Sequence, residues 1–90
     1  MRAHIVVHGR VQGVGFRYAA KNNARIHGIC GWVRNLDDGT VELEIEGTEE
    51  NVESFVRDLT SGFTPFIRVD QLSITTSNSQ QTAFDTFDIK

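Results

Sequence analysis

The sequence has 90 residues, of which 39% are hydrophobic and 23% are charged, and these values are ordinary for one small globular domain. The formal net charge of −3 and the scattered basic residues argue against nucleic acid as the main partner, because binding to a phosphate backbone requires concentrated Lys and Arg. The single cysteine, Cys30, excludes an internal disulfide, and no apolar run approaches the roughly 20 residues of a membrane span. The first residues form a strand pattern rather than a signal peptide, so we expect a single cytoplasmic domain over residues 1–90.

The first predicted element is a strand over Ala3 to Gly9, in which the side chains of alternate residues point to opposite faces. A helix is predicted over Phe16 to His27, where an apolar stripe recurs at helical spacing and Gly28 is suited to the position after the last turn. A second strand is expected over Ile29 to Asn35, and the sequence Leu-Asp-Asp-Gly at 36–39 predicts a turn after it.

The third predicted strand, Val41 to Gly47, alternates without interruption between aliphatic residues and glutamates. One face of this strand is therefore covered and the other is solvated, as in an antiparallel sheet. Thr48 is a good N-cap for a second helix, whose apolar residues follow the i, i+3, i+4, i+7 spacing of a helix lying on a core. Gly62 is expected to end this helix.

The last third of the chain predicts a fourth strand over Val69 to Thr75, a polar loop over Ser77 to Thr82, and a possible short last strand within Phe84 to Ile89. The element order is βαββαβ. With both helices on one face, this order predicts an α+β ferredoxin-like sandwich whose antiparallel sheet has the strand order 4-1-3-2. This fold hosts many functions, so the function has to be argued from the site.

The most informative segment is the glycine-rich stretch VHGRVQGVGFR, which runs from Val7 to Arg17 between the first strand and the first helix. Its three glycines allow positive φ, so that successive backbone N–H groups can turn toward one point. The helix N-terminus adds unpaired donors and a partial positive charge, and the planar Arg17 guanidinium suits a phosphate. Arg17 also opposes the dipole of its own helix, by roughly 0.3–1 kcal/mol. These features favour a phosphate cradle, although Arg17 has a plain alternative as a surface cation on an amphipathic helix.

The second informative segment is GWVRNLDDGTVE, Gly31 to Glu42, in which Asn35 stands where a strand enters a tight turn. A rigid element holds its side-chain amide, and the amide lies near solvent. The alternative is that Asn35 only shapes the turn, because asparagine tolerates left-handed backbone and bonds to its own backbone. A glycine-rich loop alone is also a weak signal, and this one lacks the Walker A and dinucleotide-binding spacings.

No metal site or cofactor is predicted. His4 and His8 share the outer face of the first strand, but they are roughly 13 Å apart along it, too far to ligate one metal. We expect both to be solvated and to face the row of glutamates of the third strand. Neither of the two segments contains a His/Asp dyad or a cluster of metal-ligating residues.

Taken together, the two segments resemble the signatures of the acylphosphatase family, in its bacterial or archaeal form. The first signature, aliphatic-x-Gly-x-Val-Gln-Gly-Val-x-Phe-Arg, is similar to Val7–Arg17, and the second, Gly-aromatic-Val-x-Asn-x-x-x-Gly-x-Val, is similar to Gly31–Val41. The resemblance implies a βαββαβ fold and metal-independent hydrolysis of the carboxyl–phosphate bond of acyl phosphates. It also implies that Arg17 clamps the phosphoryl oxygens and that Asn35 holds the attacking water. The backbone amides implied to bind the phosphate belong to Gln12, Gly13, Val14, Gly15, Phe16 and Arg17.

Two other functions remain open at this point. Similar domains form the amino-terminal part of larger carbamoyl-transferring proteins, so the chain could be a non-catalytic module that binds acyl or carbamoyl phosphate. A complete fold that ends at Lys90 without a linker favours a stand-alone enzyme that acts on a small molecule as a monomer, without nucleic-acid or membrane partners. An RNA-binding module with this topology is less favoured, because the glutamates Glu42, Glu44 and Glu46 face the open side of the sheet.

Overall fold

The computed structural model describes residues 1–78 and 83–90. Within these residues, the elements in chain order are β1 (Arg2–Arg10), α1 (Phe16–His27), β2 (Cys30–Asn35), β3 (Val41–Glu46), α2 (Glu49–Thr60), β4 (Arg68–Ser77) and β5 (Phe87–Ile89). The predicted bounds of α1 are the observed ones, and β1 to β4 differ from their predictions by at most two residues at either end. Ser77, expected in a polar loop, is the last residue of β4, and 79–82 of that loop lie outside the described residues.

The five strands form one sheet in the order β4-β1-β3-β2-β5, which confirms the predicted order 4-1-3-2 and the additional last strand. The expectation of an antiparallel sheet is wrong for the last strand, because β5 pairs with β2 in parallel and the sheet is mixed. The reason lies in where β4 ends. β1 and β2 run in the same direction, because both are antiparallel to β3, and β4 is antiparallel to β1. β4 therefore ends at the end of the sheet where β2 begins. β5 begins at that same end, where Phe87 pairs with Gly31 near the start of β2, so it runs in the direction of β2.

Both helices cover the same face of the sheet, where α1 packs on β2 and β5 and α2 packs on β4. The alternation predicted for the strands places their aliphatic residues in this layer. In β1 and β3 the side chains facing the helices are at most 1% exposed, and they are Ala3, Ile5, Val7, Val41, Leu43 and Ile45. Thr48 caps α2 as predicted, by accepting a hydrogen bond from the Asn51 N–H at 3.1 Å. Gly62 follows its last turn, and its N–H donates to the Leu59 carbonyl at 2.9 Å.

The open face of the sheet carries the glutamates, as expected. His4 Nε2 lies 2.7 Å from Glu42 Oε2, and Arg34 Nε donates to Glu42 Oε1 at 2.6 Å. The hydrogen bond with His4, followed by the contribution of Arg34, lowers the pKa of the Glu42 carboxyl below its usual value. His4 thus faces the glutamates of β3, as the alternation predicts. In the part of the chain that the structure describes, no helix is long and apolar enough to cross a bilayer.

Candidate active site

The glycine-rich loop between β1 and α1 is anchored in the core at both ends. Val11 is 1% exposed and Phe16 is 2% exposed, so the side chains on either side of the loop are fixed by packing. The Phe16 ring also packs against Phe63, with 5.6 Å between the ring centroids, and Phe63 packs equally close to Phe55 of α2. The backbone between the two anchors is therefore held by the core while most of its surface faces solvent.

Two glycines of this loop have left-handed backbone, as predicted. Gly13 has φ 75° and Gly15 has φ 78°, and Gly15 is the N-cap residue of α1. A Cβ atom built at either position meets no described atom within 4 Å. Glycine is therefore required here by the backbone conformation and not by lack of space. Positive φ values at two nearby loop residues are compatible with an anion-binding nest, in which successive N–H groups turn toward one point.

We expect Gly15→Ala to lower the free energy of unfolding by about 1 kcal/mol, because alanine is strained in left-handed backbone. Binding of inorganic phosphate should fall more than this strain alone explains, since the N–H groups lose their common orientation. Gly28→Ala is the matched control: Gly28 has φ 67° at the opposite end of α1, and a Cβ there makes only one contact, at 3.4 Å. Urea unfolding and phosphate titration of both variants check the prediction. Equal losses of phosphate affinity in the two variants would contradict it.

The two helices of this chain begin in opposite ways. The N-terminus of α2 is capped by a Thr48 side chain and has Glu49 and Glu50 in its first turn. The N-terminus of α1 has no side-chain cap and no acidic residue in its first turn, and it carries Arg17 as its second residue. Neither a side-chain cap nor an acidic residue of the first turn therefore compensates the first N–H groups of α1 and its positive dipole end. A bound anion would supply the missing negative charge and hydrogen-bond acceptors.

The Gln12 side chain connects the glycine-rich loop to the β2–β3 hairpin. Its Nε2 donates to the Leu36 carbonyl and to the Thr40 carbonyl, both at 2.8 Å. These carbonyls belong to the pair that closes the hairpin, because the Leu36 N–H donates to the Thr40 carbonyl at 2.9 Å. Both N–H groups of one side-chain amide thus hold the two segments together. The sequence predicts only a backbone role for Gln12, because this side-chain contact joins residues 24 and 28 positions apart and leaves no local signal.

We expect Gln12→Glu to lower the free energy of unfolding by about 1–3 kcal/mol at neutral pH, because two hydrogen bonds are lost and a carboxylate then faces two carbonyl oxygens. Binding of inorganic phosphate should weaken as well, since the loop and the hairpin are no longer held in register. Urea unfolding and phosphate titration measure the two effects. A variant as stable as the wild type would show that the amide does not connect the segments in solution.

The turn of the β2–β3 hairpin is shaped by residues other than Asn35. The Asp38 carboxylate accepts hydrogen bonds from the backbone N–H and the hydroxyl of Thr40, at 3.0 and 2.5 Å. The hydrogen bond from the Thr40 hydroxyl, followed by the bond from the Thr40 N–H, lowers the pKa of the Asp38 carboxyl below its usual value. Gly39 supplies the left-handed residue of the turn, with φ 91°. Within residues 1–78 and 83–90, the Asn35 side chain makes no hydrogen bond, and it is exposed.

Asn35 lies at the same end of the sheet as the glycine-rich loop. It pairs with Val41 across β2 and β3, and Val41 pairs with Val7 across β3 and β1. Residues paired directly across strands share a face, so the Asn35 side chain stands on the helix-covered face, about two strand spacings or 10 Å from Val7. The loop leaves β1 three residues after Val7. The two signature segments therefore meet at one end of the fold.

Arg17 lies on α1 beside the loop and is half-buried. In the described part of the chain its guanidinium has no ion-pair or hydrogen-bond partner, whereas Arg34 and Arg68 each bind a carboxylate at 3.0 Å or less. The residues described include no group of three or more His, Cys, Asp or Glu side chains that could hold a metal ion. The groups that the two signature segments bring to this end of the fold include backbone N–H donors of the loop, the Arg17 guanidinium and the Asn35 carboxamide.

Comparison with known proteins shows the family of this chain. The family model described as Acylphosphatase matches residues 3–89. The chain belongs to the acylphosphatase family. An acylphosphatase of Bacillus licheniformis is 46% identical over 74 residues, which are 82% of this chain and 81% of the relative. The crystal structure of the Bacillus subtilis acylphosphatase superimposes with a TM-score of 0.92 at 43% identity, covering 99% of this chain and 97% of the other. T. kodakarensis HypF, a longer protein, matches with a TM-score of 0.84 at 36% identity, covering all of this chain and 12% of its own.

Proposed function

We propose that this chain hydrolyses the carboxyl–phosphate bond of acyl phosphates with the phosphate held by the glycine-rich loop and Arg17 and the attacking water held by Asn35. Membership of the acylphosphatase family supports the reaction. The observation that carries the assignment of the residues is the uncapped N-terminus of α1. Gly15, with left-handed backbone, stands where α2 has its Thr48 cap, and Arg17 stands in the first turn, where α2 has acidic residues. In this proposal the phosphate accepts hydrogen bonds from the amides of residues 12–17.

The proposed chemistry requires little more than positioning and charge stabilisation. In phosphoryl transfer, negative charge spreads over the equatorial oxygens of the transferred group, and a planar guanidinium with several N–H donors stabilises it. The leaving group is a carboxylate, which is stable without a proton, so no strong general acid is needed. The Asn35 carboxamide can accept a hydrogen bond from the water and fix it in line with the bond that breaks. A site without an acid–base dyad is therefore sufficient for this substrate class.

The direct test is release of inorganic phosphate from benzoyl phosphate and acetyl phosphate by the purified chain, measured against their spontaneous hydrolysis. A phosphate monoester such as p-nitrophenyl phosphate serves as the control, because its leaving group is poorer. Turnover of the acyl phosphates well above turnover of the ester is expected. Equal rates with and without protein would contradict the proposal.

We expect activity to be independent of divalent metal, because each proposed role belongs to a backbone amide, a guanidinium or a carboxamide. Dialysis against a chelator should leave kcat and KM for benzoyl phosphate unchanged, and added Mg²⁺ should change neither. Turnover that disappears on chelation and returns with Mg²⁺ would be incompatible with this mechanism.

A non-catalytic phosphate-binding module is the second candidate, and the similarity to part of the longer HypF chain favours it. The two candidates differ in one measurement, since a binding module would bind phosphate at the loop and release none from benzoyl phosphate. We also infer that the chain acts on a small molecule as a cytoplasmic monomer. The net charge of −3 argues against a nucleic-acid partner, and the single, half-buried Cys30 is compatible with a reducing compartment.

A further inference from the structure

The segment between α2 and β4, residues 61–67, lies beside the glycine-rich loop. It is tied to both flanks of that loop. The Phe63 ring packs on Phe16, the first residue of α1, with 5.6 Å between the ring centroids. Arg68, which follows the segment, pairs with Arg10, the last residue of β1. Because the loop runs from Arg10 to Phe16, the segment and the loop border each other at one end of the fold.

The backbone of this segment has a fixed course. Phe63 has φ 63° and is the only non-glycine residue with positive φ in the described part of the chain. Such a conformation is strained for a bulky residue and persists where the surroundings determine it. Ile67 is 5% exposed and donates its N–H to the Thr64 carbonyl at 3.3 Å. The Thr64 hydroxyl accepts from the Phe66 N–H, also at 3.3 Å, so Phe66 stands on a turn that is held at both ends.

The Phe66 side chain on this turn points into solvent. It is 75% exposed, whereas the other five phenylalanines of the chain are buried or half-buried. A large apolar ring in water gains free energy when a ligand covers it. Because its backbone is already fixed, covering this ring costs little further ordering of the chain. Phe66 is therefore suited to contact an apolar part of a molecule bound at the loop.

The geometry of the reaction gives the side on which the acyl part lies. In phosphoryl transfer the attacking and the leaving oxygen stand roughly in line across the phosphorus. With the water held by Asn35, the acyl group leaves on the side of the phosphate away from Asn35. Asn35 ends β2, whereas residues 61–67 lead into β4, which is on the other side of β1 in the strand order β4-β1-β3-β2-β5. The acyl group is thus directed toward the segment that carries Phe66.

We propose that Phe66 packs against the acyl part of the substrate and that the chain therefore favours acyl phosphates with an aromatic acyl group. This inference rests on the proposed function, because it takes the phosphate to lie at the loop and the water at Asn35. Two aromatic rings in contact gain free energy beyond the burial of their surface. Phe66 acts as a specificity-determining residue, and it takes no part in the transfer of the phosphoryl group.

The test compares benzoyl phosphate with acetyl phosphate, which share the reacting group and differ in the acyl part. The quantity measured is the ratio of their kcat/KM values. We expect Phe66→Ala to lower the ratio of benzoyl to acetyl phosphate about threefold to tenfold, the effect of losing one aromatic contact. Phe66→Tyr should retain the ratio. Inhibition by inorganic phosphate should not change in Phe66→Ala, because phosphate lacks the acyl part.

Ile26→Ala is the matched control, because Ile26 is also an exposed apolar residue, at 66%, but lies in the last turn of α1, at the far end from the loop. It should leave the ratio at the wild-type value. The urea midpoints of Phe66→Ala and Ile26→Ala should both stay close to that of the wild type, since both side chains are exposed.

A ratio that is unchanged in Phe66→Ala, or that falls equally in Ile26→Ala, overturns the inference while the proposed function stands. Weaker inhibition by phosphate in Phe66→Ala with the ratio retained would also overturn it, because the ring would then support the phosphate site and not the acyl group. If the wild type hydrolyses neither substrate, the proposed function itself fails, and the inference fails with it.

Discussion

Arg17→Ala is expected to lower kcat/KM for benzoyl phosphate by about 10³ or more, the range that a single arginine provides in phosphoryl transfer. The variant should also lose most of its affinity for inorganic phosphate. Its free energy of unfolding should stay unchanged or rise by up to about 1 kcal/mol, because a cation is removed from the positive end of the α1 dipole. A variant that is more stable and inactive is the distinguishing result, since a residue needed for packing would give the opposite change in stability.

Two further variants control for charge and for position. Arg17→Lys keeps the charge but lacks the planar pair of donors, so it should not restore activity. Arg25→Ala removes a cation from the last turn of the same helix, where a cation is favourable, and should lower stability slightly. Urea unfolding and steady-state kinetics of the three variants complete the comparison. A well-folded Arg17→Lys enzyme with near wild-type turnover would refute the proposed role of the guanidinium.

Asn35→Ala is expected to lower kcat by about 10² or more, in line with the loss of one preorganised hydrogen-bonding group at a reacting centre. Inhibition by inorganic phosphate should change little, because the proposed partner of the carboxamide is the water and not the phosphate. An interaction made mainly in the transition state lowers kcat and kcat/KM together. Loss of phosphate inhibition with kcat retained would instead assign Asn35 to ground-state binding of the phosphate.

The competing role of Asn35, shaping the turn, has a different signature. Asp38 and Gly39 supply the hydrogen bonds and the left-handed residue of the hairpin turn. Asp38→Ala therefore serves as the comparison, since it removes the carboxylate that bonds Thr40. We expect it to lower stability more than Asn35→Ala does. If Asn35→Ala is the more destabilised of the two, the carboxamide has a structural role.

The sequence was sufficient to predict the elements whose signals are local. The bounds of α1 are marked by Gly15 before it and Gly28 after it, and Gly28 has the left-handed backbone typical of the residue that ends a helix. The alternation of β3 is complete, so its two faces could be assigned residue by residue. The unfavourable position of Arg17 could also be predicted, because a cation in the first turn opposes the helix dipole and this effect involves only one helical turn.

Contacts between distant segments could not be predicted in the same way. The Gln12 carboxamide meets the hairpin through residues far along the chain, and nothing in a Val-Gln-Gly sequence distinguishes a side chain that bonds carbonyls from one that faces solvent. The direction of β5 depends on the end of the sheet at which this strand begins, which the spacing of apolar residues does not encode. The Asn35 role stays a prediction, since the register places the residue at the site without showing what its amide binds.

The position of β1 between β3 and β4 has a consequence for folding kinetics. Arg2 pairs with both Glu46 and Ser77, so the strand that leads into the phosphate loop is completed by residues from distant parts of the chain. Domains dominated by such non-local pairing fold in milliseconds to seconds, because long loops must close before the contacts form. The loop also needs the Leu36–Thr40 pair of the hairpin to receive the Gln12 amide. After dilution from denaturant, recovery of phosphatase activity should therefore coincide with completion of the whole sheet and not with the earlier formation of helix.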